Sequence, residues 1–317
     1  MTMKLVSLLL CILVRLHNFQ NANKMILIHG EPIAYSSPQV FDYSWDYCTS
    51  YCYQETRCLA AYYSDLSPGQ CQIFEIGKIS EIQQLDAYSG KVMAVKMLPS
   101  SSTQCPLTPN SNSMTGLIST ISTYQNYSIS IDQAGLWTIQ SSPFYSCPEN
   151  FRLFHRALGF WCIGVTVTGP GSQGSAAVKC AMSVSGVLSG FDSEEEIKYA
   201  NGITVPLVPT GITYHGYWMD GKRKDTCKYA NQTGPDCTGI KAFTLSDPLI
   251  SNTNWYLWGW DSQPSGMADG TGAACVVNRV NRNDGAGLDD IGCSGSTTNV
   301  VINGYICGVK PAELAEL

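Results

Sequence analysis

Charge is scarce in this chain, and so are the residues on which most catalytic and metal-binding motifs depend. Only 14% of the 317 residues are charged, and four are histidines. The Lys and Arg residues form no basic cluster that would attract a phosphate backbone, so the sequence argues against nucleic acid as a partner. It also lacks the GxSxG, HExxH and P-loop motifs, which argues against an enzyme.

Long apolar runs are absent as well. The apolar run at residues 5–16 is shorter than the ~20 residues that a transmembrane helix needs. It follows Lys4 and is interrupted by Ser7 and Arg15, a pattern typical of a secretory signal peptide, which we predict for residues 1–23. An uncleaved anchor or a buried strand is the alternative. The sequence therefore predicts a secreted, extracellular protein without a membrane anchor.

Cysteine, by contrast, is plentiful. Of 14 cysteines, Cys11 lies in the predicted signal, and the others fall into two groups separated by a Ser/Thr-rich stretch. Such groups form disulfide frameworks in secreted proteins. With no CxxC pair, structural zinc is not expected. Cys105 lies between the groups, and because an unpaired thiol in an oxidising compartment tends to find a partner, we predict a disulfide-linked dimer through Cys105.

Residues 25–97 hold the first cysteine group. Ser44 is placed to cap a helix that begins at Trp45, and Cys48 and Cys52 are four residues apart, on one helical face. Apolar stretches predict strands near residues 25–33, 58–63, 71–75 and 92–98. The four cysteines alone allow three connectivities.

A helix joined by disulfides to a small antiparallel sheet resembles the PAN/apple family, in the form that precedes C-type lectin domains in nematodes. The resemblance covers residues 25–97 and implies the pairs Cys48–Cys71 and Cys52–Cys58. Family members bind proteins or carbohydrates, and a stapled spacer domain is the alternative.

Residues 98–146 are predicted to be a Ser/Thr-rich linker. Its first part is rich in Ser, Thr, Asn and Pro and is expected to be extended or disordered. Residues 123–139 alternate in part between apolar and polar, which predicts a hairpin packed on the second domain. N-glycosylation sequons begin at Asn126 and at Asn231.

Two helices are predicted after residue 147. The first lies near residues 175–185, stops at Gly186 and has one apolar face, formed by Ala177, Cys180, Ala181 and Val184. The second begins with a capping box of Ser193 and Glu196 and ends at Asn201–Gly202. Three acids in its first turn favour the helix dipole, so they indicate a helix start and not a catalytic cluster.

Further motifs follow in a fixed order: YWMDG at 217–221, WDSQPSG at 260–266, GLDDIGC at 287–293 and GYIC at 304–307. Cys147 and Cys162 bracket two short apolar stretches, as a disulfide-bonded hairpin would. Together with this hairpin and the two helices, the order of motifs resembles the C-type lectin-like domain over residues 147–310. The resemblance implies an α+β, disulfide-rich fold of two helices, antiparallel sheets and a long loop region. It pairs the cysteines as Cys147–Cys162, Cys180–Cys307 and Cys275–Cys293, which leaves Cys227 and Cys237 to close a local loop.

Sugar-binding members of that family hold Ca²⁺, which prefers six to eight oxygen ligands. The resemblance implies a ligand-binding set of Gln263, Ser265, Asp269, Asp289 and Asp290, in which all but Ser265 ligate calcium. Pro264 is expected to be the cis proline of the loop. Ser265 stands where the family has Asn or Asp and is a poorer ligand, so calcium is weakened or lost. The alternative is that Asp289 and Asp290 only cap loop amides.

The resemblance predicts a secreted carbohydrate-binding protein that takes part in innate immune recognition, with glycans or glycoproteins as partners. The alternative is a calcium-independent module that binds proteins through the same loops. Ser265 favours the second function, whereas Gln263 and the two adjacent aspartates favour the first.

Overall fold

The computed structural model describes residues 24–66, 70–97, 113–169, 171–209, 214–228, 234–259, 263–266, 272–281, 285–295 and 300–314. The predicted signal peptide, Cys105, Asn231 and Asp269 lie outside these ranges. The chain divides into two compact units. The first contains the residues up to Phe144 and those from Glu313 onward, and the second runs from Tyr145 to Ala312. Within the described ranges, no helix is long and apolar enough to cross a membrane.

The first unit consists of strands and one helix. Its elements are β1 (Lys24–Tyr35), β2 (Gln39–Asp42), α1 (Trp45–Gln54), β3 (Cys58–Ser64), β4 (Gln70–Glu75), β5 (Ile79–Gln84), β6 (Lys91–Met97), β7 (Ser113–Ser119), β8 (Thr123–Ile131) and β9 (Leu136–Ser141). The strands lie in the order β8-β9-β5-β1-β6-β3-β4-β2, and β7 pairs with β8. The first half of β1 pairs with β6 and its second half with β5, so one strand belongs to both halves of this order.

Helix α1 begins as the sequence predicts. The side chain of Ser44 accepts a hydrogen bond from the backbone N–H of Tyr47, and Cys48 and Cys52 are fully buried on one face. The structure contains the pairs Cys48–Cys71 and Cys52–Cys58, which join the helix to β4 and β3. The helix is therefore held to its sheet by covalent bonds around a small core.

The prediction for the second half of the linker was wrong, because these residues belong to the core of the first unit. Strands β7, β8 and β9 contribute to the hydrophobic core of the first unit, and the hairpin expected to pack on the second domain pairs with β5. Trp137 is fully buried there, beside Ile82 across the β5–β9 pair. The physical reason is that the hairpin covers an edge strand that residues 25–97 alone would leave unpaired.

We therefore expect a fragment of residues 24–97 to fold poorly and one of residues 24–144 to fold cooperatively. The shorter fragment keeps both disulfides but loses the buried Trp137, and truncating one large core side chain already costs about 3–5 kcal/mol. Urea unfolding followed by tryptophan fluorescence and circular dichroism tests this. Equal cooperativity and equal midpoints for the two fragments would contradict the assignment of the hairpin to the first core.

The second unit has a sheet in the order β11-β12-β18-β14-β16-β17. Two short strands, β10 (Phe144–Ser146) and β19 (Ala312–Leu314), each contain residues of both units. The other elements are β11 (Arg152–Arg156), β12 (Gly159–Thr166), α2 (Gln173–Val184), β13 (Val187–Leu188), α3 (Glu194–Thr204), β14 (Tyr214–Arg223), β15 (Phe243–Thr244), β16 (Ala273–Asn281), β17 (Gly285–Gly292) and β18 (Val300–Val309). Strands β14 and β18 are parallel, and the other pairs are antiparallel.

The remaining disulfides are present in the pairing that the resemblance implied. They are Cys147–Cys162, Cys180–Cys307, Cys227–Cys237 and Cys275–Cys293. Cys180–Cys307 joins α2 to β18, two elements 127 residues apart in sequence. It therefore restricts the unfolded chain more than the local bridges do, because the loop-closure entropy grows with loop length.

Both helices of the second unit exist, but their details differ from the prediction. In α2 the buried residues are Gln173, Ala176 and Cys180, whereas Ala177 and Ala181 are exposed. Gln173 is buried because its amide donates to the carbonyls of Met219 and Gly221. The buried face thus includes a polar residue whose amide is satisfied internally, and it leaves out two of the four predicted apolar residues.

Helix α3 runs through Asn201–Gly202, where the sequence predicted its end, and continues to Thr204. The side chain of Ser193 caps the helix by accepting from the Glu196 N–H at 3.3 Å. The Glu196 carboxylate does not complete the capping box; it accepts from the Asp192 N–H and binds Arg156. The acid run is therefore a helix start, as predicted, and one of its members also belongs to the core.

A buried ionic network fixes this core. The Arg156 guanidinium donates to both oxygens of Asp247 at 2.9 Å and to Glu196 at 2.8 and 3.0 Å, and all three side chains are almost fully buried. Asp220, from the YWMDG motif, accepts from the backbone N–H groups of Ser246 and Asp247. Burial raises the pKa of Asp220, and these hydrogen bonds offset part of the rise. The network joins β11, α3 and β14 to the chain after β15.

We expect Asp247→Ala to lower the free energy of unfolding by about 3 kcal/mol or more, because it leaves part of a buried guanidinium without its counter-charge. Glu194→Ala is the matched control, since Glu194 pairs with Lys198 on the exposed face of α3 and should cost less than ~0.5 kcal/mol. Urea midpoints of the two variants decide. Similar midpoints would show that the network contributes little.

Candidate functional site

The two predicted aspartates lie on a strand and not in a loop. Asp289 and Asp290 are consecutive residues of β17, which pairs with β16 in the register Val277↔Asp289 and Val276↔Asp290. Successive side chains of a strand point to opposite faces of a sheet. Accordingly, Val276 and Val277 belong to different hydrophobic clusters. The two carboxylates therefore face away from each other.

Asp290 holds the loop that contains the cis proline. Its carboxylate is fully buried and accepts from the backbone N–H of Ser265 at 2.7 Å and of Gly266 at 2.9 Å. A Cβ on Gly266 would lie 2.6 Å from this carboxylate, so only glycine allows the approach. The same carboxylate forms an ion pair with Arg223, which is equally buried and stacks on the Phe243 ring. Asp290 thus links the sheet, the loop and the core.

The loop itself is closed by local hydrogen bonds. The Gln263–Pro264 peptide bond is cis, as the sequence predicted. The carbonyl oxygen of the Gln263 side chain accepts from the Ser265 N–H at 2.9 Å, so the oxygen predicted to ligate calcium already has a partner. Ser265 is exposed, whereas Gly266 is buried. The structure therefore brings Gln263, Ser265 and Asp290 together.

Asp289 lies on the other face of the sheet. It is 4% exposed and forms an ion pair with the Arg279 Nη1 at 2.7 Å. Arg279 in turn lies over the Tyr214 ring, 3.4 Å from its centroid. Burial raises the pKa of Asp289 above its ordinary value, and the neighbouring Arg279 offsets part of that rise. Asp289 thus pairs with a guanidinium that stacks on an aromatic ring. It has no described contact with Gln263 or Ser265.

The described members of the predicted set, Gln263, Asp289 and Asp290, do not fit a calcium ion. A calcium site needs several oxygens that converge on one point, but Asp289 and Asp290 diverge and a guanidinium already neutralises each. In the part of the chain that the structure describes, no group of three or more His, Cys, Asp and Glu side chains could hold a metal ion. The predicted ligand Asp269 lies outside that part. The interpretation of the aspartates as residues that cap loop amides describes Asp290 well.

Sequence reasoning missed the two arginines that decide this. Arg223 follows the YWMDG strand and looks like one member of a solvated KRK run. Arg279 interrupts the apolar stretch of β16, and a charge inside an apolar strand was the one signal that could have indicated a buried partner. Arg223 is 67 residues from Asp290, so only the β14-β16-β17 order reveals that pair. Arg279 is 10 residues from Asp289, across the pair of consecutive strands β16 and β17.

The sequon at Asn126 lies on β8 of the first unit. Asn126 is exposed, the next residue Tyr127 is 5% exposed and points into the core, and Ser128 is on the same face as Asn126. Asn126 also lines an open groove of about 460 Å³. The acceptor side chain is therefore on the outer surface of the sheet, as glycosylation requires.

Comparison with known families covers both units. Residues 25–97 match the family model of the PAN-like domain, and residues 155–310 match that of C-type lectin domain-containing protein 141/158. No curated protein matches the chain.

Several solved structures are similar to about half of the chain. The mouse scavenger receptor C-type lectin carbohydrate-recognition domain is 16% identical with a TM-score of 0.33, and the match covers 53% of this chain and all of that one. Human lithostathine is 14% identical with a TM-score of 0.35, over 52% of this chain and 91% of that one. Herring type II antifreeze protein is 17% identical with a TM-score of 0.34, over 53% of this chain and all of that one. The family models and the observed elements show that the disulfide-rich chain has a PAN-like domain followed by a C-type lectin-like fold.

Proposed function

We propose that this is a secreted recognition protein whose C-type lectin-like domain binds glycoproteins without a calcium ion. One observation carries the proposal: Asp289 and Asp290 form ion pairs with Arg279 and Arg223 on opposite faces of the sheet. The six disulfides between described residues support secretion, since disulfides form and persist in oxidising compartments. We propose a binding function and no catalysis.

The segment around Leu257, which belongs to the long loop region that the resemblance implies, offers a surface for a protein ligand. Leu257 is 52% exposed, although the backbone around it is fixed: its carbonyl accepts from the Leu288 N–H at 2.8 Å, and Gly259 donates to the Leu288 carbonyl at 3.0 Å. The next residue, Trp258, packs on the core. An exposed apolar side chain on a rigid backbone loses little entropy on binding, which favours contact with a partner.

Glycan binding at the same loops is a second candidate. It is favoured by Gln263, which is partly exposed beside the cis proline and uses only its carbonyl oxygen in the described hydrogen bond. Its amide nitrogen is placed to donate to a sugar hydroxyl. A role in innate immune recognition, the nematode form of the resemblance and a dimer through Cys105 stay predictions.

Millimolar calcium should leave the melting temperature of the protein unchanged. A site with a Kd of about 1 mM, in ~10 mM calcium, would stabilise the native state by about 1.4 kcal/mol and raise the melting temperature by a few degrees. Differential scanning calorimetry in calcium and in EDTA measures this. Asp290→Asn is the companion variant: it should melt lower than the wild type by the same amount in both buffers. A calcium-dependent rise in the wild type that Asp290→Asn abolishes would overturn the proposal.

Binding to a printed array of glycans and glycoproteins should be equally strong in calcium and in EDTA. Leu257→Ser should weaken the signals of glycoproteins, whereas Leu158→Ser, an equally exposed leucine of the same unit, should not. Glycan signals that disappear in EDTA would instead favour a calcium-dependent lectin.

A further inference from the structure

Strand β7 of the first unit is an edge strand whose outer side has no partner in the described part of the chain. It runs from Ser113 to Ser119 and pairs with β8 alone. The backbone N–H and C=O groups on the outer side of such a strand can form a ladder with a strand of another chain. The outer edge of β7 is therefore a candidate interaction surface.

Alternate residues of β7 direct their backbone groups outward. Thr120, the residue after β7, donates its N–H to the Thr123 carbonyl at 3.0 Å, and this bond continues the register Ser119↔Tyr124. Residues of an antiparallel ladder alternate between bonding the neighbour on one side and pointing to the other side. Even-numbered residues of β7 therefore bond β8. The residues whose backbone groups point outward are Ser113, Thr115, Leu117 and Ser119.

Other edge strands of the protein have features that block strand pairing. Strand β2 has four residues, follows Pro38 and ends in Asp42. Strand β17 is bonded on its outer side by the backbone of Leu257 and Gly259. Short length, proline, charge and a covering loop all protect an edge. The residues of β7, SMTGLIS, include neither proline nor a charge, and the ladder between β7 and β8 has no bulge.

We propose that β7 pairs with β7 of a second copy of this chain, antiparallel and about a twofold axis at Gly116. In this register Ser113 lies opposite Ser119 of the second copy, and Thr115 lies opposite its Leu117. The full length of the strand is then used, because every residue with outward backbone groups meets another such residue. The contact is the same on both copies, as a closed twofold dimer requires.

Two features of the sequence favour a second copy as the partner. No charged residue lies between Lys96 and Asp132, so two copies of β7 bring no like charges together. Cys105 is eight residues before Ser113, and an extended segment of that length spans roughly 27 Å. The starts of the two paired strands would be about 20 Å apart, so the disulfide predicted through Cys105 can form in the same dimer. The strand pairing itself needs neither that bond nor a particular ligand.

Sedimentation velocity of the Cys105→Ser protein tests the pairing without the predicted disulfide. The protein should be a dimer at micromolar concentrations. Thr115→Lys combined with Leu117→Lys should weaken the dimer about tenfold or more, because each lysine then lies opposite a lysine of the second copy. Both side chains reach the surface opposite uncharged residues of β8, so melting curves should show that the variant folds.

Matched variants in the same Cys105→Ser protein separate lost pairing from damage to the fold. Thr115→Glu combined with Leu117→Glu should dissociate as well, and an equimolar mixture with the lysine variant should form a mixed dimer, because opposite charges then face each other. Thr138→Lys combined with Gln140→Lys adds the same charge to the outer face of β9, which is paired on both sides, and should leave the dimer intact.

Three results would each overturn the proposal. The first is a Cys105→Ser protein that stays monomeric at micromolar concentrations. The second is a lysine variant that dimerises as strongly as the protein with the natural β7. The third is a mixture of the lysine and glutamate variants that remains monomeric although both variants fold.

Discussion

Buried pairs of a guanidinium and a carboxylate hold the lectin-like domain together. Arg156, Arg223 and Arg279 lie inside or beside the core, and each binds an aspartate. The partners of Arg156 and Arg223 are distant in sequence, and that of Arg279 lies on the next strand. Such pairs add little net stability compared with apolar packing, but removing one partner is costly because a buried charge is left alone. In a chain with so few charges, their positions specify which strands and loops meet.

The same interaction explains the character of the loop region. In the family that the sequence resembles, carboxylates at these positions serve an ion. Here Arg223 pairs with Asp290 and Arg279 with Asp289, and the Asp290 carboxylate also accepts from N–H groups of the loop with the cis proline. A site with its counter-charge built in needs no metal for its shape. Under the proposed function, ligands contact exposed or partly exposed side chains such as Leu257 and Gln263.

The sequence predicted what depends on local chemistry. Ser44 and Ser193 were identified as helix caps because a cap acts within one turn, and the long-range disulfides followed from a resemblance carried by ordered motifs. It failed where a distant partner decides. The buried face of α2 includes Gln173 because β14 offers it carbonyls, and residues 123–139 pack with β5 because β5 would otherwise have a free edge. Likewise, the sequence predicted that Asp289 and Asp290 bind one ion together, whereas as consecutive residues of a strand they point to opposite faces of the sheet.

Strand β1 makes the unfolding of the first unit cooperative, because it pairs with both β5 and β6. Its residues Lys24–His29 bond β6, and its residues Gly30–Tyr35 bond β5. The part of the sheet that carries the disulfide-bonded helix and the part that carries the late hairpin therefore share one backbone segment. Neither part can detach without breaking hydrogen bonds of a strand on which the other depends. The hairpin of β8 and β9, although it comes late in the sequence of this unit, thus unfolds together with the residues that begin it.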